Sequence, residues 1–314
     1  MTDAPFTSRY YMSPDGLRLH YREYAGPPNA PFTVICIPGL TRNARDFDEL
    51  APHLAQKYRV LCAELRGRGL SEYAKDHTTY VPPVYVRDMM AMIKSTGLSQ
   101  VALIGTSLGG IVSMVLASVF SAKILGVVLN DVGPEINQAG LDRIASYLGK
   151  TKPIYSWDDA ADAMRMLDAL IYPDYQPADW HKMARRRFFQ ADDGSFRPDY
   201  DLNISKPFGG STGAVNLWPY FRGMQDVPVL AIRGETSDLL HPDVFARMKR
   251  EKPRLEQVIV PNRGHAPYLD EPEAMAGIDS FLAKLPGRLS PFTVVRRTVK
   301  SLIFLMQLKI KGVI

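Results

Sequence analysis

The sequence predicts an α/β fold: a mostly parallel eight-stranded sheet flanked by helices, interrupted by a helical insertion. Two observations carry this. Short apolar, β-branched runs alternate with amphipathic stretches, an order that requires parallel strands joined by crossover helices. One gap of about ninety residues, by the usual measure of loop lengths, then separates two of these strands and holds only helical patterns and all three tryptophans.

The chain opens with two strand-like runs, SRYYMS and LRLHYREYA, joined across Pro14-Asp15-Gly16, which is a hairpin signal. Six further runs follow at 33–37, 59–64, 101–104, 124–130, 228–232 and 256–260. Amphipathic stretches at 46–57, 83–97, 108–120, 242–251 and 272–285 supply the covering helices. The long gap reads as helices near 140–149, 157–171, 177–190 and 213–224. The expected organisation is therefore a core of residues 1–133 and 223–287, a helical cap over 134–222, and an extension over 288–314.

The 314 residues carry a net charge of +5. Six of the cations and no acid lie in 288–314, so the rest of the chain sums to −1. A body without a basic face argues against nucleic acid as a partner. Cys36 and Cys62 each lie within an apolar run, as expected of buried thiols in neighbouring strands of a protein from a reducing compartment such as the cytoplasm. No secretory leader is read at the amino end, no Cys/His clustering of metal-ligand spacing is present, and no cofactor is expected.

Chemistry enters at VALIGTSLGGIVSMVLAS, residues 101–118. Glycine is poor material for a strand or a helix, so GTSLGG between the two must serve a sharp bend. Gly-x-Ser-x-Gly in a strand–turn–helix setting holds a serine where ligands bind, outside the carboxyl ends of the strands. Ser107 is thus the candidate nucleophile, and an alcohol needs a base and a group orienting that base. Of six histidines, only His265 sits in a glycine-bearing loop after the last strand. For the acid, three residues can reach the same sheet edge: Asp238, Glu235 and Asp131. Asp238 is the expected acid, because it satisfies the order Ser…Asp…His from a short loop; Asp131 is the alternative. The amides of Leu40 and Leu108 are the expected oxyanion donors.

With these landmarks the chain resembles the α/β-hydrolase superfamily, in particular its serine esterases and lipases with a helical cap. The resemblance runs from residue 7 to about 286 through PGL at 38–40, ELRGRGLS at 64–71, GTSLGG at 105–110, RGETSDLL at 233–240 and GHAPYLDEP at 264–272. It implies Ser107 as nucleophile, Asp238 as acid, His265 as base and Leu40 and Leu108 as oxyanion donors. Two departures stand out: Pro38 where the family usually has histidine, and Glu64 where it usually has aspartate. Similar dehalogenases and epoxide hydrolases carry aspartate at the elbow, so Ser107 argues against both activities.

The expected activity is hydrolysis of a small to medium, largely apolar carboxylic ester. A lactonase or a carbon–carbon hydrolase with the same triad is the alternative, although Ala266 stands where the similar carbon–carbon hydrolases carry tryptophan. A receptor-like, non-enzymatic member is the reading from another class. Trp157, Trp180, Phe188, Phe189 and Trp218, with Tyr220 and Phe221, are candidates to line an apolar pocket, and Arg42 to meet a substrate oxygen.

The extension lies outside the resemblance. On a helix, Phe292, Val295, Val299, Leu302, Met306, Ile310 and Val313 form one stripe, with Arg296, Arg297, Lys300 and Lys311 placed opposite and Ile303 and Phe304 intruding. Two expectations follow: the stripe packs on the body or a second subunit, or it lies on an anionic membrane surface.

Overall fold

The computed structural model describes residues 5–150, 152–208 and 216–310. Ten strands are described: β1 (Thr7–Met12), β2 (Arg18–Tyr24), β3 (Thr33–Ile37), β4 (Arg59–Ala63), β5 (Val101–Thr106), β6 (Ile124–Asn130), β7 (Phe188–Gln190), β8 (Phe196–Pro198), β9 (Val229–Gly234) and β10 (Glu256–Val260). Eight of them form one sheet in the order β1-β2-β4-β3-β5-β6-β9-β10. β2 runs antiparallel to both β1 and β4, and β4 through β10 are parallel in that sheet. β3, β5 and β6 are buried at every position, as parallel strands covered on both faces must be.

The covering helices are α1 (Leu50–Leu54), α2 (Pro82–Ser95) and α3 (Leu108–Val119). After the inserted segment come α9 (Pro242–Glu251), α10 (Pro272–Ala283) and α11 (Pro291–Ile310). Residues on alternate sides of each strand fall into two apolar clusters. Ile35, Leu103 and Val127 pack with Met89 and Val112 on one face. Val34, Ala102 and Val128 pack with Leu54 and Ile278 on the other. Cys36 and Cys62 are buried free thiols, paired in register across β3 and β4.

Between β6 and β9 lie α4 (Gln138–Tyr147), α5 (Trp157–Asp168), α6 (Pro177–Arg187), α7 (Ser205–Phe208) and α8 (Trp218–Gly223), together with the β7–β8 hairpin. The helix expected over 177–190 ends at Arg187. Phe188 turns into the hairpin, whose Asp193 side chain caps Ser195 around Gly194. Part of the helix expected at 213–224 lies outside the described residues.

α11 docks on the body, but by the opposite face from the expected stripe. Buried Arg297 donates to the carbonyls of Ser121, Ile124 and Asp226 at 3.1, 2.6 and 2.5 Å. Ser301 donates to the carbonyl of Ser118, and the Phe304 ring meets Tyr220 edge-on at 5.8 Å. Arg297 is therefore a docking residue, and the stripe from Phe292 to Ile310 faces outward. Lys311 and Val313 lie outside the described residues.

Candidate active site

β5 ends at Thr106, and the chain then turns into α3 through Ser107 at φ +52°, a left-handed conformation uncommon for a residue with a side chain. This bend is possible because its flanks lack side chains. A Cβ on Gly109 would strike the carbonyl of Ile37, and one on Gly105 would strike the carbonyl of Gly109. α3 is thereby pressed against the end of β3. The loop after β3 runs beside the elbow, with the Cβ direction of Gly39 3.8 Å from the Ser107 Cβ.

Ser107 Oγ lies 2.9 Å from His265 Nε2, and His265 Nδ1 lies 2.7 Å from Asp131 Oδ2. Asp131 is fully buried. Its carboxylate also accepts from the Gly234 amide at 2.8 Å and the Ser237 hydroxyl at 2.6 Å. Those bonds come from the end of β9 and the loop after it, so that strand orients the acid without supplying it. The neighbouring Asn130 donates to the carbonyl of Pro267 at 2.8 Å, fastening the histidine loop to β6.

This corrects the expected acid. Asp238 instead forms a two-bond ion pair with Arg143 of α4, at 2.6 and 3.0 Å. Burial works against the Asp238 charge, but Arg143 outweighs it and holds the carboxyl below its usual range. Glu235 is engaged elsewhere, accepting from the Asn262 amide. Both carboxylates satisfy the order Ser…Asp…His; the hydrogen bond to His265 singles out the one after β6.

The pocket above Ser107 is lined by Leu40, Arg42, Tyr147, Asp168, Arg187 and His265, among others. Its lining mixes charged and apolar side chains and includes none of the expected Trp157, Trp180, Phe188, Phe189 and Trp218, which corrects the expected aromatic lining. Trp157 stacks edge-on with Phe196 and Trp180 with Tyr175, while Phe188 is buried in the same cluster of the inserted segment. Phe189 faces solvent on the hairpin. Trp218, with Phe221, packs in the main core and donates to Glu135. Tyr220 is partly buried beneath Phe304. Apart from Phe189, these rings fill the fold instead of the pocket.

Two guanidinium groups take their place. Arg42 lies over the Tyr268 ring at 4.4 Å and is 3.3 Å from Asp46. Arg187 donates to Asp168 at 2.8 Å and to the Tyr268 hydroxyl at 3.0 Å. Burial disfavours both charges, yet the surrounding carboxylates and tyrosines outweigh it and raise both pKa values. Arg42 was a sequence candidate. Arg187 was missed, because only the return of α6 over the elbow brings it there. A larger cleft between α6 and the start of α10, bordered by Asp174, Lys182 and Glu273, contains neither Ser107 nor His265.

Supporting residues also went unrecognised in RGRG. Buried Arg68 donates to the carbonyl of Leu40 at 3.0 Å, bracing the loop after β3. Arg66 forms paired bonds to both Asp88 and Asp15. Glu64, the departure from the family pattern, accepts from His20 at 2.9 Å and the Leu70 amide at 2.6 Å, so it organises this turn.

A family model for the alpha/beta hydrolase fold matches residues 33–272. The 3-hydroxybutyrate-oligomer hydrolase of Cupriavidus necator is 35% identical over 275 residues, covering 84% of this chain and 93% of that protein. The 2-(acetamidomethylene)succinate hydrolase of Mesorhizobium japonicum is 28% identical, covering 81% of this chain and 87% of that protein. The crystal structure of an alpha/beta hydrolase from Novosphingobium aromaticivorans superposes with a TM-score of 0.85 at 44% identity, covering 90% of this chain and 99% of that one. With the sheet order and the elbow already in place, these similarities make the chain a member of the alpha/beta hydrolase family, and a hydrolase.

Proposed function

We propose that this hydrolase cleaves carboxylic esters through an acyl-enzyme on Ser107, and that its substrates bear a free carboxylate, as short hydroxyalkanoate oligomers do. The observation that carries the reaction is the continuous relay Ser107–His265–Asp131, at 2.9 and 2.7 Å. Ser107 Oγ attacks the ester carbonyl and gives its proton to His265 Nε2. Asp131 fixes the imidazole with Nδ1 protonated and stabilises the cation formed. The amides of Leu40 and Leu108 receive the oxyanion. His265 then protonates the departing alcohol, and water, activated by the same imidazole, releases the acid and restores Ser107.

Arg42 and Arg187 support the substrate class. Two largely sequestered cations beside Ser107, each about a tenth exposed, suit a planar anion, which guanidinium groups bind through paired hydrogen bonds. The similar Cupriavidus necator protein, named for 3-hydroxybutyrate oligomers, fits this chemistry: each such oligomer is an ester chain ending in a carboxylate. A second reading, a hydrolase of a carboxylate-bearing amide, is favoured by the similarity to the 2-(acetamidomethylene)succinate hydrolase and uses the same two cations.

The test is a panel comprising 3-hydroxybutyrate dimer and trimer, their methyl esters, p-nitrophenyl butyrate, a lactone, an acetamido-substituted succinate derivative and a dienoate carbon–carbon substrate. Free-acid oligomers turning over fastest support the proposal; preference for the methyl esters or for p-nitrophenyl butyrate removes the carboxylate assignment. Labelling by a serine-directed phosphonate, lost in Ser107→Ala, is expected of the active nucleophile. Absence of labelling with no turnover anywhere on the panel favours a ligand-binding role.

A further inference from the structure

α11 leaves an apolar face uncovered. Its inward side is occupied by Arg297, Ser301, Phe304 and Leu308, which bind the end of α3, the start of β6 and α8. The outward side presents Phe292 (76% exposed), Val295, Val299, Leu302, Met306 and Ile310 (85% exposed), joined by Ile303. At about 100° per residue these positions fall within one stripe roughly a third of the circumference wide, along a helix roughly 30 Å long. Several hundred Å² of contiguous apolar surface is at or above what a monomer ordinarily leaves in water.

Charge selects the occupant. Arg296 and Lys300 border one side of the stripe and Lys309 the other, all three exposed, and the helix contains no acid. Asp226 is the carboxylate facing Arg296 and Lys300, at 3.9 and 2.7 Å, and it offsets one of those two charges. A second copy docked stripe to stripe would oppose these cationic borders with no acid on either helix to pair them. An anionic lipid surface satisfies both features, taking the apolar side chains below its headgroups and the cations at their level.

We propose that α11 is an interfacial membrane anchor, lying flat in the surface of an anionic bilayer and fixed to the enzyme through Arg297 and Ser301. Among the described residues no helix is long and apolar enough to cross a membrane, so the anchor lies on the surface. Ser118, Ser121 and Ile124 sit at the amino ends of the parallel strands, whereas Ser107 lies at the carboxyl end of β5. The pocket therefore opens away from the proposed membrane, and the anchor places the enzyme at a surface without feeding it lipid.

The test uses full-length protein with vesicles of phosphatidylglycerol and phosphatidylcholine (1:1), or of phosphatidylcholine alone, in flotation assays. The bound fraction is expected to be at least tenfold higher with the anionic vesicles at low salt, and to fall in 0.5 M salt. Leu302→Ser with Met306→Ser, both at exposed positions, should lose binding at least tenfold with unchanged thermal unfolding and unchanged hydrolysis of a soluble ester. No flotation with anionic vesicles, or equal flotation of the double variant, overturns the proposal. So does a dimer, by size-exclusion chromatography with light scattering, that the double variant dissociates, since a second copy then covers the stripe.

Discussion

His265 Nδ1 and Asp131 Oδ2 lie 2.7 Å apart, joining the loop after β6 to the loop after β10. Two supports from the β9 region, the Gly234 amide and the Ser237 hydroxyl, hold the same carboxylate. An acid with three donors has one orientation, and the imidazole it binds inherits it.

Asp131→Asn should therefore lower kcat on the order of 10³–10⁴-fold, because the amide no longer selects the productive imidazole tautomer. Asp238→Asn should stay within about threefold, since it loses a surface-side ion pair with Arg143. Measured side by side on one ester, the reverse ranking would return the acid to the loop after β9.

Arg42→Gln and Arg187→Gln should each lower kcat/KM for a free-acid oligomer by about 10–100-fold, the loss of one charge-assisted contact. For the methyl ester of the same oligomer the change should be within about threefold. The selectivity ratio is the decisive quantity, because any loss of stability from leaving Asp46 or Asp168 unpaired cancels in it. Equal losses on acid and methyl ester would make both arginines purely structural.

Gly109→Ala would drive a methyl group into the carbonyls of Ile37 and Pro38, which are backbone and cannot swing aside. We expect destabilisation of about 1–3 kcal/mol, with a fall in kcat as the loop carrying Leu40 shifts. Gly287→Ala meets its nearest neighbour, the carbonyl of Pro31, at 3.6 Å and should be neutral within about 0.5 kcal/mol. Urea denaturation of the two variants checks the contrast.

Lys252 is buried, donating to the carbonyls of Met224 and Gln225 at 3.1 and 2.6 Å, and its burial pushes the pKa down to about 8. The unfolded chain releases that proton near 10.5, so between these values it binds more protons than the folded form. This group's contribution must then grow more favourable as pH rises from 8 toward 10.5. Relative to Lys252→Met, the wild type should gain on the order of 1–3 kcal/mol across that window. Urea midpoints for both proteins that move in parallel between pH 7.5 and 9.5 would contradict it.

What the sequence determined by itself was what local chemistry dictates. β-branched runs alternating with amphipathic stretches sufficed for the eight strands of the main sheet. The glycines around Ser107 marked the elbow, since a Cβ at Gly105 or Gly109 would strike a backbone carbonyl and one at Gly110 the Val132 side chain. His265 was legible for a similar reason: its loop follows the last parallel strand and must return to the ligand edge.

Tertiary structure decided whatever depended on side-chain direction over long separations. Asp131 and Asp238 stand after neighbouring parallel strands, so periodicity and order treat them alike; the bonds of Asp131 to His265, Gly234 and Ser237 and the pairing of Asp238 with Arg143 distinguish them. The aromatic residues of the inserted segment carry the same composition whether they line a pocket or fill a core. Packing put Trp157, Trp180, Phe188 and Trp218 among core side chains and left Arg42 and Arg187 beside Ser107. The stripe on α11 was readable as a pattern, but not which side would meet the protein. That was settled by Arg297, whose long side chain reaches the backbone carbonyls of Ser121, Ile124 and Asp226 beneath the sheet and so turns its own side of the helix toward the body.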